Sequence, residues 1–531
     1  GATDVADVFS TDLYTGTAAN QTITNGIDLA GEGGIVWNKA RSDTGDHQIF
    51  YQNGSNIDLL KTAATDSASV NMGAYGNSFN SDGFTMGSLF APNTVDMASW
   101  TFRKKSGFFD CLTYTGNGVV GREIAHGLGG SVGMMLIKRT DSGANWIVYN
   151  KSLGGTKYLH LDTTVAAGTY TNYFNDTNPT DSVFTVGDNG DVNGSGNTYV
   201  AYLFADNSSE DAEDQMIKCG SYTGNGSIGH EINLGWEPQF IIQKNTSATG
   251  TNWQMYDSMR GVTTGGNDSR LYPNSPNAEN SSEKIEFNST GVSLMSTSGH
   301  TNQSGQSYIY IAIRSPMMVE PEAATDVFDI SVGLTGSSLP SYNSNFPVDM
   351  ALTRRPASSE NWNIQSRMTG AATLNTNTTA VEGGGDVERQ WDYMNGWGDW
   401  TVNTSTHYAW NWKRAKGYFD VVTYSGNATS GRAVPHSLGV APEMMWVKSR
   451  DSGGQSWRVY HASLGATHGL NLNGNNAAFA LTRLWNDTAP TNSSFIVGNH
   501  GSTNDSSHIY IAYLFATLPG ISKVGSFVGN G

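Results

Sequence analysis

The sequence has little charge and no basic region. Only 15% of its 531 residues are charged, and acidic side chains exceed basic ones to give a net charge of −17. Nucleic acid binding requires a basic surface opposite the phosphates, so we expect no nucleic acid partner. Aromatic residues make up 11% of the chain, which is far above the level in disordered sequences. The composition therefore predicts folded domains.

Cysteine is almost absent. The two cysteines, Cys111 and Cys219, each lie three residues before the tyrosine of a Tyr-Thr-Gly-Asn-Gly motif. They occupy equivalent places in neighbouring repeats, so we expect no disulfide between them. A small side chain in the core of a strand is the interpretation that we favour for both.

Long hydrophobic runs and catalytic motifs are also missing. No apolar run approaches the length that spans a bilayer, so we expect no membrane insertion, and no signal peptide is visible. The sequence opens on Gly1 and stops inside a repeated motif, so we expect it to be part of a longer protein. It contains no nucleophile elbow, phosphate-binding loop or zinc-ligand spacing. We predict a protein that is not an enzyme and has no cofactor and no metal site.

What the sequence does contain is a large internal repeat. Phe109–Gly143 aligns with Phe419–Gly453 without a gap and with 17 identities in 35 positions. After one residue inserted in a polar loop, the alignment continues and carries Trp146 to Trp457 and Tyr199 to Tyr510. An insertion between apolar segments is typical of a surface loop. We infer a folding unit of about 100 residues, the usual size of a small domain.

Weaker copies of this unit fill the rest of the chain. Units A and A′ correspond, as do units B and B′, which indicates a larger repeat of the form A-B-C followed by A′-B′. The final residues resemble the start of unit C. The boundaries are 1–107 for unit A, 108–207 for B, 208–322 for C, 323–417 for A′, 418–516 for B′, and 517–531 for the start of an incomplete unit C′.

Unit B can be divided into short strands separated by turn residues. No segment has a helical period, and the spacing predicts an all-β chain, a tandem array of β-sandwich domains of jelly-roll or immunoglobulin-like type. The last strand lacks alternation, which indicates burial on both faces or packing at a domain junction. The predicted strands are Phe109–Tyr114, Arg122–His126, Met134–Lys138, Trp146–Tyr149, Lys157–Leu161, Ser182–Val186 and Thr198–Phe204.

Two isolated polar features each have a functional and a structural interpretation. His126 and His436 are equivalent, but unit C has no histidine there, so we favour a role in stabilising a turn. The segment that begins at Asp191 resembles a calcium-binding loop, yet its twelfth position is Tyr202 where a glutamate is needed. We favour a glycine-rich hairpin.

The candidate ligand-binding residues are aromatic side chains in unit A′ without clear counterparts in unit A. They are Trp391, Tyr393, Trp397 and Trp400. Aromatic faces beside Asp and Asn side chains suit a sugar, and an exposed ring also suits a protein interface. Burial inside the sandwich is the third interpretation and the one that we favour.

Several motifs resemble a known group of proteins. They are a Phe-Asp-x-x-Thr-Tyr-x-Gly-Asn opening, a Met-Met-x-x-Lys strand, an Asn-Asp-Thr-x-Pro-Thr segment and a Tyr-x-Ala-Tyr-Leu-Phe-Ala close. Together they resemble repeat-bearing structural, tail-fibre-like proteins of tailed phages of marine bacteria. The resemblance implies a component of the extracellular virion with other virion proteins as partners, and it transfers no site residues.

From the repeat and the resemblance together we expect a rod of units that adheres to the host cell surface. A host surface glycan or protein is the further partner that this implies, and homo-oligomeric assembly is the default for such parts. A decoration protein of the capsid, neck or tail is the alternative. A polysaccharide depolymerase is less favoured, because no carboxylate pair recurs among the units.

Overall fold

The structure is a computed structural model that describes residues 4–207, 214–262, 268–334, 340–383, 389–399 and 404–530. Within these ranges the chain is all-β, built from short antiparallel strands in many small sheets, as the sequence predicted. The described helices are only one turn long, and none is long and apolar enough to cross a membrane.

Unit A has a five-stranded sheet in the order β1-β8-β3-β4-β5 and a smaller sheet in the order β2-β7-β6. The β6–β7 hairpin depends on Gly83 (φ 147°), where a Cβ atom would lie 2.0 Å from the Ile23 carbonyl oxygen. The elements are β1 (Phe9–Thr15), β2 (Gln21–Thr24), α1 (Leu29–Glu32), β3 (Gly34–Ala40), β4 (Gln48–Asn53), β5 (Asn56–Lys61), β6 (Ser78–Asn80), β7 (Gly83–Met86) and β8 (Asp96–Arg103), with 3₁₀ turns at Val5–Asp7, Met72–Tyr75 and Ser88–Phe90.

Unit B has a six-stranded sheet in the order β14-β13-β12-β11-β16-β9, covered by the β10–β15 pair. Every strand that the sequence predicted is present within a few residues, while β14 and the helix α2 were missed because each is very short. The elements are β9 (Phe109–Thr115), β10 (Arg122–Ala125), β11 (Val132–Arg139), β12 (Ile147–Asn150), β13 (Lys157–His160), β14 (Gly168–Thr169), α2 (Thr171–Phe174), β15 (Val183–Val186) and β16 (Thr198–Ala205).

Unit C has a four-stranded sheet in the order β17-β25-β19-β20, a three-stranded sheet in the order β18-β24-β23 and the β21–β22 pair. Its strands are β17 (Ile217–Thr223), β18 (His230–Asn233), β19 (Pro238–Asn245), β20 (Gln254–Asp257), β21 (Asp268–Arg270), β22 (Asn280–Glu283), β23 (Ile285–Asn288), β24 (Gly291–Leu294) and β25 (Ser307–Arg314).

Unit A′ repeats the topology of unit A, with a β26-β33-β28-β29-β30 sheet and a β27-β32-β31 sheet. Its strands are β26 (Phe328–Val332), β27 (Tyr342–Asn343), β28 (Met350–Arg354), β29 (Asn363–Ser366), β30 (Leu374–Asn375), β31 (Arg389–Gln390), β32 (Gly396–Asp399) and β33 (Tyr408–Trp412), with 3₁₀ turns at Ala324–Asp326, Arg367–Thr369 and Thr404–Thr406.

Unit B′ repeats unit B, with a β34-β41-β36-β37-β38-β39 sheet and a β35–β40 pair. Its elements are β34 (Phe419–Ser425), β35 (Arg432–Pro435), β36 (Met444–Ser449), β37 (Arg458–His461), β38 (His468–Asn471), β39 (Phe479–Ala480), α3 (Thr482–Trp485), β40 (Ser494–Val497) and β41 (Ile509–Phe515).

The contacts of β16, the last strand of unit B, explain why its sequence is continuously apolar. Alternate residues of β16 point to opposite faces of the sheet. Tyr199 stacks on Tyr114, which packs against Phe184 of the covering sheet, whereas Tyr202 lies against Tyr51 of unit A. One face therefore builds the sandwich and the other builds a junction between units, so both must be apolar, as the missing alternation indicated.

The units do not form the linear rod that we expected from the sequence. Unit A contacts unit C directly, and Phe240 of unit C packs against Phe9 and Phe102 of unit A. One hydrophobic core runs through units A, B and C. The repeat length could not predict the contact between units A and C. The order of units along the chain shows which units are consecutive, but it does not show which of their faces are in contact.

The two halves of the chain are also in contact. Arg414 of unit A′ forms a two-pronged ion pair with Glu237 of unit C (2.8 and 2.9 Å). Arg41 of unit A pairs with Asp392 of unit A′ (2.9 Å). Ion pairs between charged side chains therefore connect the pair of units A′ and B′ to the group formed by units A, B and C.

Candidate functional site: the unit junctions and the cleft at Arg41

Two of the four predicted ligand-binding aromatics lie in the core. Trp391 and Trp397 stack on each other with ring centroids 5.0 Å apart, and both side chains are buried. Their indole nitrogens donate to the Gly370 carbonyl (2.8 Å) and to Asn411 Oδ1 (2.9 Å). Their faces are occupied by protein, as the favoured burial interpretation expected, so Trp391 and Trp397 are not ligand-binding residues.

The other two aromatics have different outcomes. Trp400 lies outside the described residues. Tyr393 is half-buried and donates to Gln390 Oε1 (2.9 Å) beside a cleft of about 320 Å³ between units A and A′. Asp392 lines the same cleft, and its Oδ1 has no hydrogen-bond partner within the described ranges. Among the three predicted site residues that the structure describes, Tyr393 is therefore the one at a ligand-accessible surface.

One wall of this cleft is Arg41, the centre of a buried charge network. Arg41 binds both carboxylate oxygens of Glu279 (3.0 and 2.8 Å), and Arg260 binds Glu279 (3.0 Å) and Asp257 (2.6 Å). Burial alone would raise the pKa of Glu279, but the two guanidinium groups outweigh it and lower the pKa to about 2. The network joins units A, C and A′.

The junctions between units repeat one backbone pattern. At the A–B junction the Ala68 amide donates to the Thr140 carbonyl (2.9 Å), and the Ala144 amide donates to the Thr65 carbonyl (2.9 Å). The corresponding donor and acceptor pairs are Ala167 to Thr246 and Gly250 to Thr164 at B–C, Glu279 to Arg41 and Gly45 to Pro276 at C–A, and Glu382 to Arg450 and Gly454 to Thr379 at A′–B′. Units A, B and C therefore close a ring, which we call the A-B-C ring.

Side chains reinforce the same junctions. The indole nitrogens of Trp146, Trp253 and Trp457 each donate to a backbone carbonyl of the preceding unit, at Lys61 (2.9 Å), His160 (2.9 Å) and Asn375 (2.8 Å). At the A′–B′ junction Arg450 binds both oxygens of Glu382 (2.6 and 2.8 Å), as Arg41 binds Glu279 at the C–A junction. The repeated tryptophan is thus a contact between units.

A cation occupies one position in each larger sheet, and in units A, B, C and B′ it is a buried lysine. Lys138 donates to the Ala144 carbonyl of its own unit (2.7 Å) and to the Thr65 carbonyl of unit A (3.0 Å). Burial lowers the pKa of the four lysines at this position to about 8. The residues are Lys39, Lys138, Lys244, Arg354 and Lys448.

The histidines and the calcium-like loop have structural contacts. The ring nitrogen Nδ1 of His126 accepts the Leu128 amide (3.2 Å), and His436 does the same for Leu438 (3.2 Å), which confirms the turn interpretation. In the loop after Asp191, the Asn193 side chain donates to the Val119 and Gly187 carbonyls (2.9 and 2.8 Å). Within the described ranges no group of three metal-ligating side chains comes together.

Both cysteines are free thiols, as expected. Cys219 is buried and Cys111 is half-buried. Burial raises the pKa of the Cys111 thiol to about 12 and raises the pKa of the Cys219 thiol well above its ordinary value. Thiols with raised pKa values are poor nucleophiles at neutral pH, which agrees with a packing role.

The comparisons with known proteins bear on the ring. A model of the domain of unknown function DUF7483 matches residues 4–316 and 357–531. The chain belongs to the DUF7483 family. The first matched stretch covers nearly the same residues as the A-B-C ring, and the second covers most of unit A′ and all of unit B′. No curated protein and no solved structure matches the chain.

Sequence reasoning missed the junction residues. The shared Trp146 and Lys138 positions were visible as repeats, but their partners are backbone carbonyls, which leave no signal in a sequence. In the Arg41–Glu279 and Arg450–Glu382 pairs, long stretches of chain separate the two partners. At the other two junctions a Thr stands in place of the Arg and an Ala in place of the Glu. Comparing the residue two positions after each buried cation among the units would have found the arginines.

Proposed function

We propose that this DUF7483 chain is a non-enzymatic structural protein of a phage virion, a tail-fibre-like part that adheres to the host cell surface. The observation that supports the proposal best is the repeated junction. Several groups that the units share are directed at another unit, namely the indole donors and the reciprocal backbone bonds. Two of the buried lysines, Lys138 and Lys244, also donate to a carbonyl of the preceding unit. Residues shared by the copies therefore serve assembly.

The adhesive surface that we propose is the cleft at Arg41. It offers a half-exposed ring at Tyr393, the Asp392 carboxylate and the amide of Asn395, which are the groups that recognise the face and hydroxyls of a sugar. Its wall includes residues 392–395 of the β31–β32 connection, which is longer than the corresponding two-residue β6–β7 turn of unit A. A surface that differs between copies is where specificity for a receptor can be added.

Binding to host cells tests this proposal. Tyr393→Ala should weaken binding of the purified chain to host envelope fragments at least tenfold, while Tyr170→Ala, an exposed tyrosine in unit B, should not. Equal binding by both variants would contradict adhesion through this cleft.

The second candidate is a decoration protein of the capsid, neck or tail whose contacts serve assembly alone. The closed ring is compatible with this role, because a compact group of units can lie on the surface of the particle as readily as it can form part of a projecting fibre. A map of the intact virion distinguishes the two by the position of the chain. Release of oligosaccharide from host polysaccharide by the purified chain would instead support the depolymerase.

A further inference from the structure

The second half of the chain presents an incomplete version of the A-B-C ring. Units A′ and B′ share the junction that joins A to B, with the same reciprocal backbone bonds at Glu382 and Gly454. In the first half, unit C closes the ring by binding both A and B. The surfaces of units A and B that unit C covers can therefore be compared, residue by residue, with the equivalent surfaces of units A′ and B′.

On unit A, the site for unit C is an aromatic pocket. Phe240 of unit C packs among Phe9, Trp100 and Phe102, with ring centroids 5.3, 6.4 and 6.0 Å away, and all three are buried. Strand pairing makes Phe328, Trp410 and Trp412 their equivalents in unit A′. All three of these side chains are only half-buried.

Neighbouring positions on the same strands show the difference most clearly. Thr11 is 6% exposed and Ala98 is fully buried in unit A, whereas their equivalents Ile330 and Tyr408 are 53% and 41% exposed. A larger apolar side chain on an open surface costs free energy in water. Unit A′ therefore has an apolar face where unit A has a covered one.

Unit B′ continues this open surface. Met134, Leu136 and Phe204 are buried in the shared core of the A-B-C ring, and their equivalents in unit B′ are half-buried. Thr164 and Ala167 bind unit C through their backbone, and the loop that corresponds to them in unit B′ is exposed. The equivalents are Met444, Trp446 and Phe515 for the core positions and Asn475 and Ala478 for the loop. We call these residues, with Phe328, Ile330, Tyr408, Trp410 and Trp412, the open face.

The chain that leaves unit B′ begins as unit C begins. Residues 523–530 read Lys-Val-Gly-Ser-Phe-Val-Gly-Asn, and residues 218–225 of unit C read Lys-Cys-Gly-Ser-Tyr-Thr-Gly-Asn. The Val524 amide donates to Thr517 Oγ1 (3.0 Å), as the Cys219 amide donates to Asp206 Oδ1 (3.3 Å). In unit C this segment is β17 and pairs with β25, whereas Phe527 and Val528 are each 94% exposed.

We propose that the open face is the docking surface for a third β-sandwich unit of the unit C type, with residues 523–530 as its first strand. Docking would cover Ile330 and Tyr408, place an aromatic side chain among Phe328, Trp410 and Trp412, and restore two junctions of the ring. Unit C itself is the evidence for this occupant, because it covers the equivalent surface of A and B. Unit C of a second copy is a poorer fit, since its matching surfaces already bind its own ring.

An extended chain tests the proposal. Residues 1–521 are joined to a second copy of residues 217–316, so that the copy of unit C follows unit B′ in the register of residues 523–530. Hydroxyl-radical footprinting then compares this chain with the 531-residue chain. We expect oxidation of Trp410, Trp412 and Met444 to fall at least fivefold in the extended chain, with Tyr170 in unit B as an unchanged reference.

A matched substitution links the protection to the open face. Ile330→Asp replaces a side chain that is exposed in the 531-residue chain, so that chain should keep its melting temperature. In the extended chain the same substitution should remove most of the protection at Trp410 and Met444. These two results together support the proposal.

Three outcomes would overturn it. The first is an appended unit that folds without protecting the open face. The second is an appended unit that stays unfolded and protease-sensitive while the native unit C in the same chain is folded, since a docking surface for this fold would support its folding. The third is concentration-dependent dimerisation of the 531-residue chain that Ile330→Asp abolishes, which would make a second copy the occupant. None of these outcomes depends on the virion assignment.

Discussion

At the scale of single residues, the structure contains ionisable groups buried for different reasons. Glu279 is half-buried with two arginine partners, so its charge is stabilised. Asp12 is buried, and burial raises its pKa to about 6 although hydrogen bonds from the side chains of Asn25 (2.9 Å) and Ser10 act in the opposite direction. At the corresponding position in unit A′ the residue is Ser331. The repeat thus shows that the carboxylate is not needed by the fold.

Asp12→Asn should therefore stabilise the protein at neutral pH. The folded-state pKa of Asp12, about 6, lies above its ordinary value of 3.8, so its ionisation costs folding free energy as pH rises through that window. We expect the free energy of unfolding to increase by up to about 3 kcal/mol at pH 7.5 and to change little at pH 3.5. Denaturation with urea at both pH values checks this, and the exposed Asp214→Asn should change neither. A gain that is equal at both pH values would contradict the explanation.

The opposite pH dependence is expected for Glu279. Its folded-state pKa of about 2 lies below its ordinary value of 4.5, so it contributes stability above pH 4.5 that is lost as pH falls toward 2. Glu279→Gln leaves Arg41 and Arg260 buried without their shared partner and should cost about 3–5 kcal/mol at pH 7. Between pH 4.5 and 2 the variant should lose less stability than the wild type.

A surface ion pair provides the control for this prediction. Lys61 pairs with Asp46 (3.0 Å) on a partly exposed surface of unit A, the unit that contains Arg41. Lys61→Gln should cost under about 1 kcal/mol, because solvent screens an exposed pair. If the two substitutions cost the same, the buried network does not hold units A and C together.

At the scale of elements, each larger sheet uses one face for its own sandwich and the other for a neighbouring unit. The indole of Trp253, just before β20 of unit C, reaches the His160 carbonyl at the end of β13 in the preceding unit. The sheets of two units are therefore connected by a side chain that is itself buried. This explains why the tryptophan recurs in units B, C and B′.

Removing this donor should weaken a junction while leaving the unit itself intact. Trp253→Phe keeps most of the apolar volume but leaves the buried His160 carbonyl unpaired, which should cost about 1–3 kcal/mol. Trp457→Phe should have a similar effect at the A′–B′ junction. Trp362→Phe, at a half-buried ring in unit A′, should cost under about 0.5 kcal/mol. Calorimetric melting of the three variants checks the ranking, and an equal cost for all three would contradict the role of the indole donors.

At the scale of the whole molecule, the chain is a compact body and not a string of separate domains. Its accessible surface is 19603 Å² for a mass of 56.9 kDa. A single compact monomer of this mass is expected to expose about 18,700 Å², and five separate domains would expose roughly half as much again. The units must therefore cover one another extensively, as the shared core of the A-B-C ring shows.

Small-angle scattering checks this shape. A compact chain of this length should have a radius of gyration of about 24 Å. Five units arranged end to end would give roughly twice that value, since the radius of gyration of a rod grows with its length. A value near that of a rod would contradict the ring closure and would restore the linear arrangement that the repeat first indicated.

The sequence by itself determined the class of structure and the units. Period-two apolar runs separated by Gly and Asn turns predicted the strands of unit B, and the identities between units B and B′ located equivalent residues such as His126 and His436. These features are local, because a strand and its turn depend on neighbouring residues. The missing alternation in β16 also indicated a second apolar contact, although not its partner.

Only the tertiary structure decided which surfaces meet. It buried Trp391 and Trp397, left Tyr393 beside a cleft, and closed units A, B and C into a ring through backbone groups that carry no sequence signal. It also showed that the surface covered by unit C in the first half is open in the second. The physical reason is that contacts between distant residues depend on the relative orientation of whole sheets, and a pattern along one strand does not contain that information.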